Sequence, residues 1–428
     1  MSVEPLLNKW EVKRLEELSS AIQYGYTAKA TTERLGPKLL RITDIQNDAV
    51  DWDEVPFCEI NAKEIGKYRL GKNDLLFART GATVGKSYLI PGSIPESIFA
   101  SYLIRVRLLE TVYPKYVAYF FRSGDYWRQI TENQAGIGQP NVNGTKLAQI
   151  KIPVAPLNQQ GLIVAEIEKQ FSRLDEAVAN LKRVKANLKR NKAAVLKAAV
   201  EGALVPIKSR QTTKIGEVAD LVTKGSSPNW QGFMYADSGV VFVRSQNVGW
   251  GNLDLSDVAH LPPAFNEKER KSVLRTGDVL LNIVGASIGR AAVATPEIEG
   301  GNVNQAVAVI RLNKERMLPK YLMLNLLSPG TQAAIHAEKV DVARANVSLS
   351  DIKDFSVLFP SLAEQGTMVA EVERRLSVIE ALEAAVQANH TRADRLRQSI
   401  LQQAFSGKLP MREMPVISRG AVGVQRSV

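Results

Sequence analysis

Apolar and small residues recur at Ile167, Phe171, Leu174, Val178, Leu181, Leu188, Val195 and Ala199. The steps follow the three-four alternation of a helix with one narrow apolar seam. Lys185 and Lys192 are polar interruptions of that seam. Residues 157–205 contain no internal proline, and Gly202 follows the last seam residue, where a helix ends well. Such a helix runs roughly 60 Å. It cannot bury its seam alone and needs a partner.

The same chain supplies one. Residues 362–410 align with 157–205 without a gap at a shift of 205 positions. Gln160, Gly161, Val164, Glu166 and Glu168 fall on Gln365, Gly366, Val369, Glu371 and Glu373, and Gly202 falls on Gly407. The seam falls on Val372, Leu376, Ile379, Glu383, Val386, Ala393, Ile400 and Ala404. Lys185 and Lys192 fall on His390 and Arg397. This is an internal duplication.

The stretches before each helix repeat as well. In residues 1–156, segments 38–45, 100–108 and 147–154 read as strands. Residues 70–90 read as two strands joined by a glycine-punctuated loop, and 114–122 as a short aromatic helix headed by Pro114. Residues 206–361 keep that order. Asp278, Leu280, Gly285 and Gly289 match Asp74, Leu76, Gly81 and Gly85, PKYL at 319–322 matches PKYV at 114–117, and Arg244 and Asn247 match Arg41 and Asp44. The expected domains are therefore 1–156, 157–205, 206–361 and 362–410, with 411–428 as a flexible tail. The fold class is α+β.

Composition narrows the picture. A hydrophobic share of 45% supports packed cores. A single cysteine, Cys58, excludes an internal disulfide framework and fits a reducing compartment. No leader-like head or membrane-length apolar run is present, so an intracellular, soluble protein is expected. The net charge of +11 is spread over all segments. Its densest run, from Lys182 to Lys197, contains no acid. Such a surface is compatible with nucleic acid, although a solvated helix face would look the same.

The chemistry-bearing motifs are few. TGATVGKS at 80–87 resembles a phosphate-binding loop but has Thr80 where the first glycine belongs. The second copy replaces Lys86 by Arg290 and Ser87 by Ala291. A glycine-rich connection needed for geometry is the expected reading. None of His260, His336 and His390 has a second histidine or a cysteine at metal-ligand spacing. No catalytic residue and no metal site are expected. The loops instead carry residue types that read bases: arginine pairs with guanine, and asparagine or glutamine with adenine. The candidates are Arg79, Lys86, Gln139 and Asn141 in the first unit, and Arg244, Gln246, Asn247, Arg290, Asn304 and Arg344 in the second. Tyr24, Tyr26, Trp230 and Tyr235 are candidate aromatics at a groove edge.

The alternation resembles the specificity subunit of type I restriction–modification systems. Three repeated elements carry the resemblance: IPVAPLNQQ and VLFPSLAEQ, NDLLFARTGATVGK and GDVLLNIVGASIGR, and AAVEGALV and QAFSGKLP. It covers about residues 10–410. The resemblance implies two target-recognition domains, each reading half of a bipartite site on double-stranded DNA. It implies two long antiparallel helices pairing as an intramolecular coiled coil, which set the spacing and dock methyltransferase subunits, with motor-nuclease subunits joining them. It also implies a cytoplasmic protein with no cofactor of its own; S-adenosylmethionine, ATP and Mg2+ would sit on the partners. Under this reading, Lys185, Lys192, His390 and Arg397 mark a section that splays or meets methyltransferase subunits. Two other readings remain open: a coiled-coil scaffold without DNA readout, and a nucleotide hydrolase using Gly81–Ser87.

Overall fold

The computed structural model describes residues 10–46, 48–80, 84–132, 142–337 and 346–410. The long helices span Leu157–Val200 and Leu362–Phe405. Two compact units form, Met1–Asn180 with Asn389–Val428, and Leu181–Ala388. Their borders fall inside the long helices. The sequence places borders where apolar periodicity changes, whereas compaction groups each globular body with the half-helices it packs on.

In the first unit, four antiparallel strands lie in the order Ser19–Tyr24, Leu103–Leu108, Leu75–Ala78, Ser87–Leu89. Period-two alternation divides their side chains between two cores. Leu75, Phe77, Ile104 and Val106 face the larger core, which contains helix Pro114–Phe120. Leu76, Leu103 and Tyr88 face a smaller one. Beside it, Lys38–Leu40 pairs in parallel with Ser97–Phe99.

The second unit repeats this order with Ala219–Lys224, Val307–Leu312, Val279–Asn282 and Ala291–Val293. Its smaller sheet pairs Val240–Val243 with Asn302–Val303 in parallel and with Ala259–Leu261 antiparallel.

Matched polar residues explain why the frame repeats. The Asp74 carboxylate accepts from Gly71 N at 3.0 Å and pairs with Arg107 on the neighbouring strand at 3.0 Å. Asp278 accepts from Arg275 N at 2.8 Å and pairs with Arg311 at 2.7 Å. Each buried carboxylate ties a turn to a strand, and its partners offset its desolvation.

A second matched set joins each globular body to its helix. Gln160 Oε1 accepts from Tyr113 N at 2.8 Å, and its Nε2 donates to Ala155 O at 2.7 Å. Gln365 Oε1 accepts from Leu318 N at 2.9 Å, and its Nε2 donates to Pro360 O at 2.9 Å. Tyr116 donates to Pro153 O at 2.8 Å and Tyr321 to Leu358 O at 3.0 Å. Burial pushes the Tyr321 hydroxyl up to about 12, which keeps it protonated as a donor. Lys115–Glu168 and Lys320–Glu373 ion pairs sit beside these joints.

The helix seam packs largely where the periodicity puts it. In the first unit, Ile167 and Phe171 share a core with Ile400, Ala404 and Phe405. In the second, Leu196 and Ala199 share one with Val369 and Val372. Within each unit the leading half of one helix thus meets the trailing half of the other, an antiparallel pairing.

Three local expectations change. The segment 147–154 begins in a helix, Gly144–Ala148, because Asn143 Oδ1 caps it by accepting from Lys146 N at 2.8 Å; the strand is only Lys151–Val154. The strand at 38–45 stops at Leu40, because Asp44 draws Arg41 N to its carboxylate at 2.8 Å and closes a 3-10 turn. The strand expected from residue 100 starts at Leu103.

Candidate nucleic-acid interface

At the hairpin end of the first sheet, Ala78 N donates to Lys86 O at 2.9 Å and closes the strand pair. Arg79 follows. Its N donates to Tyr102 O at 3.1 Å, and its carbonyl accepts from Val142 N at 3.0 Å. Its guanidinium lies 4.9 Å above the Tyr24 ring. The Tyr24 hydroxyl in turn accepts from Gly144 N at 2.7 Å. Tyr24 is 41% exposed and Tyr102 63%, and Lys86 is exposed beside them. A stacked arginine has lost part of its rotamer freedom while its fork stays available for a planar acceptor pair.

Tyr26 is not at that edge: its ring lies tilted against Tyr68, centroids 5.2 Å apart, in a small core. Gln139, Asn141 and Gly81–Thr83 lie outside the described residues.

The glycine-punctuated connection has a geometric job where it is described. Gly85 and Gly289 have φ of +83° and +86°. A Cβ on Gly85 would crowd Trp127 and Ile130, and one on Gly289 would collide with Gln332. Their carbonyls accept from Tyr126 Oη at 2.6 Å and Gln332 Nε2 at 2.8 Å. Both glycines let a following helix close on the hairpin.

In the second unit, Arg244 and Gln246 converge on Asp257. Arg244 Nη2 donates to Asp257 O at 2.7 Å and pairs with its carboxylate at 3.2 Å. Gln246 Nε2 donates to that carboxylate at 3.1 Å. Asn304 follows the neighbouring parallel strand, Asn302–Val303; its N donates to Val243 O at 3.1 Å, and its Oδ1 accepts from Ala306 N at 3.2 Å.

Asn247, expected among the base readers, is a correction. It is buried; its Oδ1 accepts from Arg244 N at 2.9 Å, and its Nδ2 donates to Asp254 O and Asp257 O at 2.9 and 3.0 Å. It does what Asp44 does in the first unit, capping a 3-10 turn. Arg290 borders a groove between the globular body and the first long helix. Arg344 lies outside the described residues. Trp230 and Tyr235 are 81% and 55% exposed, as a groove-edge role requires. Met234 between them, at 82%, was missed along with Tyr102; single apolar residues in loops leave no periodic signal.

On the long helices, Lys185 is exposed and Lys192 half-buried. His390 Nδ1 lies 3.7 Å from Asp394. Arg397 is already engaged within the chain: it lies 5.1 Å above the Phe171 ring and pairs with Asp175. An apolar cleft of about 570 Å³ opens between the helices beside Leu188, Val195, Ile379 and the exposed Val378 and Leu382. Among the described residues, no helix is long and apolar enough to cross a membrane, and no group of three metal-ligating side chains converges.

Comparison with known proteins gives a consistent picture. The type I restriction modification DNA specificity domain matches residues 8–190 and 210–385. The EcoBI specificity subunit of Escherichia coli is 28% identical over 71% of this chain and 68% of its own length. The EcoKI specificity subunit of Escherichia coli K12 is 27% identical over 87% of this chain and 82% of its own. Among solved structures, a chain from a study of assembly and conformational transition of the type I R-M system superposes with a TM-score of 0.69 at 20% identity. The HsdS subunit from Thermoanaerobacter tengcongensis gives 0.59 at 21%. Each alignment covers 94% of this chain and 98% of the other, and these two likenesses concern the fold.

Proposed function

Since the chain belongs to the family of type I restriction modification DNA specificity domains, we propose that each globular unit reads one half of a bipartite DNA target and that the paired long helices fix the spacing. Its role is DNA sequence specificity within a type I restriction–modification complex. The observation that carries the division of labour is one frame built twice with different tips. The Asp–Arg, Gln and Tyr ties repeat residue for residue, while Tyr24 and Arg79, stacked in the first unit, fall on Lys224 and Ile283 in the second.

Arg79, Lys86, Gln139 and Asn141 are the proposed readers of the first unit. Arg244, Gln246 and Asn304 are those of the second, with Arg344 joining them. Two readers on one chain add avidity, because the second contact becomes intramolecular. The helices dock methyltransferase subunits, for which the cleft beside Val378 and Leu382 and the cations Lys185 and Lys192 are suited. S-adenosylmethionine on those subunits, and ATP and Mg2+ on motor-nuclease subunits, supply the chemistry in the cytoplasm; this chain supplies no catalytic residue.

The test is genetic and chemical. The chain is expressed with its methyltransferase subunit, and methylated adenines are mapped across the genome. The expected result is a motif of two short blocks with a fixed unread gap. A continuous motif, or methylation independent of this chain, would overturn the reading.

A further inference from the structure

The repeat offers an internal comparison between two equivalent seats, each formed where a globular body meets its half-helices. In the first unit the seat is filled. The Tyr119 and Phe171 rings meet edge to face at 5.8 Å. Arg122 caps the Tyr119 ring at 5.5 Å and Arg397 caps Phe171 at 5.1 Å. Arg397 pairs with Asp175, and Arg122 reaches Asp48 at 3.5 Å.

The 205-position shift replaces each filling residue by a shorter or unpaired one. Tyr119 becomes Leu324, Arg122 becomes Leu327, Phe171 becomes Leu376, and Arg397 becomes Lys192. Asp175 becomes Glu380, but Lys192 and Glu380 form no ion pair. A groove of about 1280 Å³ lies in the second unit at that place. Met323, Leu324, Leu327 and Leu376 contribute its apolar floor, and Trp250 stands on its edge, 51% exposed. Lys189, Lys192, Arg290 and Lys320 line it together with Glu373 and Glu380; Lys320 is paired with Glu373, and among the described residues the side chains of Lys189, Lys192 and Arg290 form no ion pair.

We propose that this groove is a docking seat for an acidic, aromatic-bearing segment of a methyltransferase subunit, making the two units unequal as partner sites. Charge complementarity and the first unit both argue for this occupant. Three unpaired cations stand against one unpaired carboxylate, Glu380, so the groove keeps an excess of positive charge that favours carboxylates, and the floor lacks the rings that complete the equivalent seat. An inserted aromatic side chain would occupy the space that the two rings fill in the first unit and displace water from apolar surface. The proposal rests on the reading that the helices dock methyltransferase subunits.

The test titrates the purified full chain with its methyltransferase subunit and reads stoichiometry by native mass spectrometry and affinity by calorimetry. Two double variants are compared with the wild type. Leu324→Tyr/Leu376→Phe fills the seat as the first unit does. Lys189→Glu/Lys192→Glu reverses the rim and leaves the floor intact. Each is expected to weaken one of two partner sites at least tenfold, so that the complex loses one subunit at concentrations that saturate the wild type. Wild-type affinity in the rim variant would overturn the proposal, whatever the filled variant does. A wild-type chain that binds no methyltransferase subunit would overturn the docking reading and this proposal together.

Discussion

Arg79 and Asn247 both stand in loops at the end of a strand, and both belong to types that read bases. Their surroundings separate them. Arg79 rests on an aromatic face with its fork uncommitted, whereas Asn247 has its amide occupied by three backbone groups. Arg79→Ala should therefore weaken discrimination in one half-site by about 1–3 kcal/mol and leave the other half-site unchanged, measured by binding to single-base variants of each block. An equal loss at both halves would remove Arg79 from the readers. Asn247→Ala should instead lower stability by about 1–3 kcal/mol, because two carbonyls and one N–H lose their partner. Thermal unfolding checks this, and base preference should not change. The distinction was not legible in the sequence. Arg41/Asp44 and Arg244/Asn247 could be aligned there, but a cap and a base reader use the same residue types, and only burial tells them apart.

The long helices were legible because their periodicity is strong and because the duplication doubles it. Antiparallel pairing also has an electrostatic cause in the residues themselves. Residues 181–200 of the first helix carry seven basic and no acidic side chains, and 362–388 of the second carry five acidic and two basic. Residues 157–180 carry four acidic and two basic, and 389–405 carry one acidic and three basic. Within each unit the acidic stretch therefore meets the basic one, while a parallel pairing would set like charge against like. Among the described residues, Asp175–Arg397 is the ion pair formed across the helices. Exchanging the two charges singly should each weaken the first unit by about 0.5–1 kcal/mol, and the double exchange should recover part of the loss. Additive losses in denaturant titrations would show that the pair contributes nothing.

The joints were only half visible. Gln160 and Gln365 stand out in the alignment, but Tyr116 and Tyr321 look like ordinary core aromatics until their hydroxyls are seen to reach Pro153 O and Leu358 O. Gln160→Leu leaves Tyr113 N and Ala155 O without that side chain and should lower stability by about 1–3 kcal/mol. Hydrogen exchange should place the loss where the first helix begins; a loss spread evenly through the unit would contradict the joint.

For the molecule as a whole, two readers on a fixed spacer predict separable effects. Replacing residues 1–156 by the corresponding unit of another family member should change one block of the recognised sequence and leave the second block and the gap intact. Inserting one heptad at matching places in both long helices adds about 10 Å of helix and should lengthen the gap by roughly three base pairs with both blocks unchanged. Methylation mapping reads both results, and a gap indifferent to the insertion would remove the spacing role from the helices.

The central claim is tested most directly by footprinting the purified chain with its methyltransferase subunit on its own target. The account predicts two short protected blocks separated by a constant interval that stays open to cleavage. One continuous protected site would contradict it.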